Sequence, residues 1–241
     1  MKKGGIAARR RVARFGLSIS LLAVGFSLGL SLAACSQQTG TSGGVAAAPV
    51  TATADLPPYE RIEPAVERAS GAYVHRWSGL SLPKQAGAFA RARVTKFDAA
   101  ALDITAEYQL KTPQGLALAN VYIYPMSLIS PLGEHAGEAD CRTEFDGVGV
   151  VIGQRFPDAI LVREWEEAAP DLAGQRPGLA VAYDFEADIL GPTMPVRSEA
   201  YLFCGVNRAW AVKYRITYPR TFDAADSIKA FIAASPARTA L

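Results

Sequence analysis

Between residues 89 and 218 this chain repeatedly alternates apolar and polar side chains with a period of two. Only extended strands can present such a pattern to a core. Leu102, Ile104, Ala106, Tyr108 and Leu110 interleave with Asp103, Thr105, Glu107 and Gln109, which predicts a strand with one wet face. Phe89 to Phe97 predicts another, with Arg91 and Arg93 on one face. Thr112-Pro113-Gln114-Gly115 has turn chemistry. After it Ala117, Ala119, Val121 and Ile123 alternate with Leu118, Asn120, Tyr122 and Tyr124, a strand covered on both sides. Ile160–Glu166, Leu179–Glu186, Val196–Cys204 and Ala209–Tyr218 continue the style. In the last run Trp210, Val212, Tyr214 and Ile216 face one way, and Ala211, Lys213, Arg215 and Thr217 the other.

Three segments carry helical spacing. Tyr59 to Ala69 is short, with Ile62 and Val66 one turn apart and Pro64 inside it. Leu132 to Phe156 places Cys141, Phe145, Val148, Ile152 and Phe156 on one stripe. Gly147, Gly149 and Gly153 within it each cost about 1 kcal/mol against alanine, which points to close packing or a break. Asp223 to Ser235 turns Ala225, Ile228, Phe231 and Ile232 inward and stops before Pro236. The order α, strands, α, strands, α, joined by short turns, predicts a single α+β domain. Its core is a mainly antiparallel sheet of about seven or eight strands with two or three packed helices. Ile123-Tyr124-Pro125 and Thr217-Tyr218-Pro219 end the two strand sets alike, a match too short to establish duplication. Trp77-Ser78-Gly79-Leu80-Ser81-Leu82-Pro83 before Phe89, and the terminal strand-to-helix exit, give the domain an architecture that resembles the α/β/α sandwich of the PsbP and Mog1 group. That resemblance implies architecture and transfers no function.

The N-terminus carries an address. Lys2, Lys3, Arg9, Arg10, Arg11 and Arg14 precede an apolar run from Phe15 to Ala34, the layout of a secretory signal peptide. The alternative is an uncleaved membrane span, for which this length just suffices. Arg10-Arg11 is followed by Val12-Ala13, not by the phenylalanine-leucine pair of a twin-arginine signal. Leu32-Ala33-Ala34-Cys35 resembles the lipobox of bacterial lipoproteins. The resemblance implies cleavage before Cys35 and acylation of its thiol, palmitate included. Ser36 stands where an aspartate retains Gram-negative lipoproteins in the inner membrane, so the resemblance implies an outer-membrane protein facing the periplasm. The expected organisation is residues 1–34 as signal, 35–58 as acylated cysteine and flexible tether, and 59–241 as the globular domain. The tether is rich in Ser, Thr, Gly and Ala, with a reach of roughly 25–30 Å.

Cleavage reverses the charge. The full chain has 25 basic and 23 acidic residues. Removing the six basic residues of the signal leaves 19 against 23, a net −4. This excludes a global electrostatic attraction to nucleic acid. The partners implied are the membrane, through the N-terminal lipid, and an envelope protein.

Candidate chemistry is sparse. His75 and His135 are the only histidines, no Gly-x-Ser-x-Gly occurs, and Ser78-Gly79 lies too near His75 in sequence for a usual triad. Glu134, His135, Glu138, Asp140, Cys141 and Glu144 crowd the start of the middle helix, and His135 and Glu138 share a face as weak metal candidates. Acidic residues also gather there because the helix dipole stabilises them by about 0.3–1 kcal/mol each. No metal or cofactor is assigned. Cys141 and Cys204, the thiols left beside Cys35, are a disulfide candidate in an oxidising compartment; the alternative is two buried free thiols. Arg91, Arg93, Lys213 and Arg215 form a candidate patch for an anionic ligand or partner, against cross-strand pairing with Glu107 or Glu199. Two classes of function fit: a non-catalytic envelope lipoprotein whose domain binds a protein partner or ligand, and an envelope hydrolase or metal-dependent enzyme with an unrecognised site. The lack of nucleophile motifs favours the first. A transporter solute-binding lipoprotein fits less well, since the repeated βα pattern and two-lobe length are missing.

Overall fold

The alternating runs pair into one large sheet. A computed structural model describes residues 56–130, 137–168, 177–189 and 191–238. In chain order its strands are β1 (Arg61–Glu67), β2 (Tyr73–Val74), β3 (Leu80–Leu82), β4 (Gln85–Ala86), β5 (Phe89–Asp98), β6 (Ile104–Thr112) and β7 (Gly115–Pro125). Helix α1 (Glu138–Arg155) follows, then β8 (Ile160–Glu167), β9 (Gly178–Asp188), β10 (Thr193–Val206) and β11 (Trp210–Pro219), helix α2 (Ala225–Ala234) and β12 (Ala237–Arg238). Nine strands form an antiparallel sheet in the order β1-β5-β6-β7-β11-β10-β9-β8, with β4 added alongside β5. A small sheet, β12-β3-β2, stands apart. The architecture is α+β, as the periodicity predicts.

The sheet separates two packed layers. On one face Phe231, Ile228 and Ile232 of α2 and Leu80 and Leu82 of the small sheet close over Val94, Tyr108, Val121, Tyr214 and their neighbours. Phe231 is fully buried, with Phe89, Tyr108 and Tyr214 around its ring at centroid distances of 4.8, 5.0 and 6.2 Å. Gly87 lets α2 approach: its φ is +54°, and a Cβ there would meet Ala230 at 3.3 Å. On the other face Phe145 of α1 packs among Tyr124, Val181, Ala200, Leu202 and Ala211, and Ile152 among Phe185, Ile189 and Val196. Of the three helix glycines only Gly149 meets the sheet closely, 2.6 Å from the Tyr183 hydroxyl to a hypothetical Cβ. Gly147 and Gly153 face open space.

Some expectations need correction. Tyr59–Ala69 is not helical; it forms the edge strand β1. Its register shifts between Arg61 and Ala65, around Pro64, and an edge bulge tolerates a residue without an N–H. The shift also puts Ile62 partly inside and leaves Val66 63% exposed, so the two no longer share a face. Within α2 it is Ala224, at the cap, that is buried, whereas Ala225 is exposed. The predicted turn is a two-residue hairpin in which Thr112 pairs with Gly115, whose φ of +138° suits glycine. The signal, Cys35 and most of the tether lie outside the described residues, as does His135.

Candidate functional site

The register of β8 to β11 assembles a site no single segment contains. Arg163, Ala182, Glu199 and Ile216 stand in one row across these four strands, and Trp165, Ala180, Tyr201 and Tyr214 in the next. Both rows belong to the α2 side. The two alanines on β9 leave depth between larger neighbours. The segment after β11 and one flank of α2 supply the opposite wall, with half-buried Phe222 and exposed Lys229 on it and the largely buried Ile228 and Ile232 behind them. The result is an open cleft of about 780 Å³, in the range of small-molecule sites.

Glu199 lies at its floor, 5% exposed. Its carboxylate accepts the Tyr218 hydroxyl at 2.8 Å and a short bond from the Tyr201 hydroxyl. Burial first, and the Glu199 charge second, hold both phenols above their ordinary pKa, so they stay neutral donors. A carboxylate has about four lone-pair sites, of which two are used. No described lysine or arginine is ion-paired with it. Arg197 instead forms a two-pronged bond to Asp184, at 2.8 and 3.0 Å, with Arg220 3.9 Å away. Trp165 packs edge-on to Tyr201 at 5.6 Å and donates its indole N–H to Glu167 at 2.8 Å. The exposed guanidinium of Arg163 lies 4.0 Å over the Trp165 ring.

A second carboxylate sits on the opposite face. Glu144 of α1 accepts the Tyr124 hydroxyl at 2.8 Å and pairs with the Lys213 ammonium at 2.9 Å. That ammonium lies over the rings of Tyr122 and Tyr124, at 5.5 and 5.2 Å. The chain supplies its own cation here.

The four basic residues predicted as one patch are not gathered. A register shift between Arg91 and Arg93 sets Arg91 opposite Tyr108 and Arg93 opposite Glu107, hence on opposite faces. Arg91 donates to the carbonyls of Leu82, Ala69 and Gly71. Arg93 pairs with Glu107 at 2.8 Å. In register, Arg93, Glu107, Asn120 and Arg215 form one row, so Arg93 and Arg215 are three strand spacings, about 14 Å, apart. Arg215 is mostly buried, its Nε 3.4 Å from Ser198 Oγ, and desolvation lowers its pKa. Glu199 faces away from both Lys213 and Arg215. Register decided this, and no segment read alone displays it.

The other candidates resolve simply. Cys141 and Cys204 are bonded, Cα to Cα 6.2 Å, tying α1 to β10. His75 is buried between Ser78 Oγ, 2.6 Å from Nδ1, and the Ala101 carbonyl, 2.9 Å from Nε2. Desolvation drives its pKa down to about 4, so the ring is neutral and accepts from Ser78. With Ser78 fully buried, this pair offers no nucleophile to a substrate. Glu138 is exposed at the start of α1. Among the described residues no three His, Cys, Asp or Glu side chains gather as a metal site. Comparison with known proteins finds no family model and no curated relative that matches this chain.

Proposed function

We propose that this chain is a lipid-anchored envelope protein whose domain binds a small ligand in the cleft over Glu199, without catalysing its conversion. The cleft carries the reading. It joins an apolar and aromatic wall to a few converging polar groups, the composition of a binding site. The charged groups at its floor and mouth lack the nucleophile–base pairing that hydrolysis needs. The anchor rests on the basic head, the apolar run and Leu32-Ala33-Ala34-Cys35. With acyl chains on Cys35, the tether keeps the domain at the membrane surface, within reach of envelope partners.

Native mass spectrometry of the full chain extracted from its own membrane tests both parts. The expected spectrum shows the acyl mass, absent in Cys35→Ser, and a bound small molecule, absent when Ala233→Trp narrows the cleft. An unacylated chain would overturn the anchor. A small-molecule mass that survives Ala233→Trp, or none at all, would overturn the cleft.

A further inference from the structure

Glu144 and Glu199 pose the same electrostatic problem, and the fold solves only one of them. Each carboxylate is drawn from water beside tyrosines that donate to it. Glu144 also receives an ammonium, from Lys213, seated over two aromatic rings. Glu199 is in no ion pair with any described residue, and Arg197, the nearby cation that acts on it electrostatically, is committed to Asp184; yet Glu199 is the more buried of the two and opens onto a cleft. A buried carboxylate that lacks a cation pays desolvation without full compensation. What is missing at its floor is a positive hydrogen-bond donor small enough to reach two free lone-pair sites.

The mouth has the opposite character. Arg163 and Lys229 are exposed there and are in no ion pair among the described residues, whereas Arg197 and Arg220 are matched by Asp184. Between floor and mouth lie Trp165, Phe222, Ile228 and Ile232. A simple anion would meet Glu199 at depth, and a simple amine would pass two cations on entry.

We propose that the cleft takes a zwitterionic amphiphile of short-peptide chemistry, its ammonium on Glu199 and its carboxylate toward Arg163 and Lys229. This rests on the reading of the cleft as a ligand site. The spacing sets the size. Arg163 and Glu199 are two strands apart in one row, about 10 Å, and an extended chain covers that in about three residues. Apolar side chains on such a peptide would lie against the α2 wall.

Calorimetric titration of the full chain in detergent, with trileucine, N-acetyl-trileucine, trileucine amide and decanoate as probes, tests the assignment. Trileucine is expected to bind, with acetylation weakening it by at least about tenfold and amidation by less, because the mouth is more open to water. In Glu199→Gln, with an unchanged melting temperature as the folding control, free and acetylated peptide should bind alike and weakly. Equal affinity of the two peptides for the unaltered chain would overturn the proposal, as would no peptide binding. Decanoate binding with the peptides silent would also overturn it, while leaving a ligand site in the cleft. If no probe binds and the spectrum shows no small molecule lost in Ala233→Trp, the ligand-site reading falls as well.

Discussion

The two faces of the sheet each hold a carboxylate among tyrosines, and they differ in what balances the charge. On the α1 side Glu144 meets Lys213 and the arrangement is complete: cation, anion and rings belong to the chain, and a disulfide holds the helix that carries the acid. On the α2 side Glu199 has only neutral donors, and the helix above it is held by packing around Phe231 and stands clear of β8. A closed ion pair serves stability; the open carboxylate is the one we propose for recognition. The same residue types thus take two roles, separated by one missing ammonium and one cleft.

The largest effect belongs to the rivet on the α1 side. Replacing Cys141 and Cys204 with serine opens a loop of 63-residue separation and should cost about 4 kcal/mol by loop-closure entropy, read as a fall in denaturation midpoint. A loss below about 1 kcal/mol would mean that packing alone positions Glu144. Next, Lys213→Met leaves Glu144 without its cation. Breaking a fully buried pair costs 3–5 kcal/mol, and with both side chains about a quarter exposed we expect about 2 kcal/mol.

The two sides also answer pH with opposite sign. His75, on the α2 side, titrates near 4 in the fold against about 6.5 unfolded, so below pH 6.5 the unfolded chain binds more protons and stability falls as pH drops toward 4. Asp103, near Lys213, is raised to about 6 by desolvation and by Asp98. Its fold therefore binds more protons between its unfolded value and 6, and stability rises as pH drops through that window. From pH 7 to pH 5 the two shifts nearly cancel, while Asp103→Asn should uncover a loss of about 2 kcal/mol in urea titrations. A flat profile in that variant would contradict the burial of a neutral His75. The smallest effect is Glu199→Gln, which keeps the shape and removes a charge that no ion pair holds, while its amide NH2 replaces one accepting oxygen, so that one of the two tyrosine hydroxyls must turn from donor to acceptor. Its stability should change by less than about 1 kcal/mol, against the larger loss at Lys213.

Much of the fold was legible. Period-two runs located β5 to β7 and β9 to β11 to within a few residues because one or both faces of each are buried, and the pleat then imposes alternation on composition; β8 was located as well, although no residue on it is buried. β1 was misread because Ile62 and Val66, four apart, satisfy a helix and a strand alike; pairing with β5 decided between them. β2, β3, β4 and β12 are two or three residues long, too short to show any period. The Cys141–Cys204 bridge was one of two alternatives the sequence left open, and the structure decides for it. Glu199 was visible only as a generic partner for neighbouring arginines, and nothing near it in sequence indicates Trp165 or Tyr218.

By itself, then, the sequence determined that this is an antiparallel α+β domain, because periodicity and turn chemistry are local. Only the tertiary structure decided that Arg91 and Arg93 part company, that Lys213 goes to Glu144, and that Glu199 is left facing a cleft. Those outcomes depend on strand order and register, which a one-residue bulge can reverse from one face of the sheet to the other.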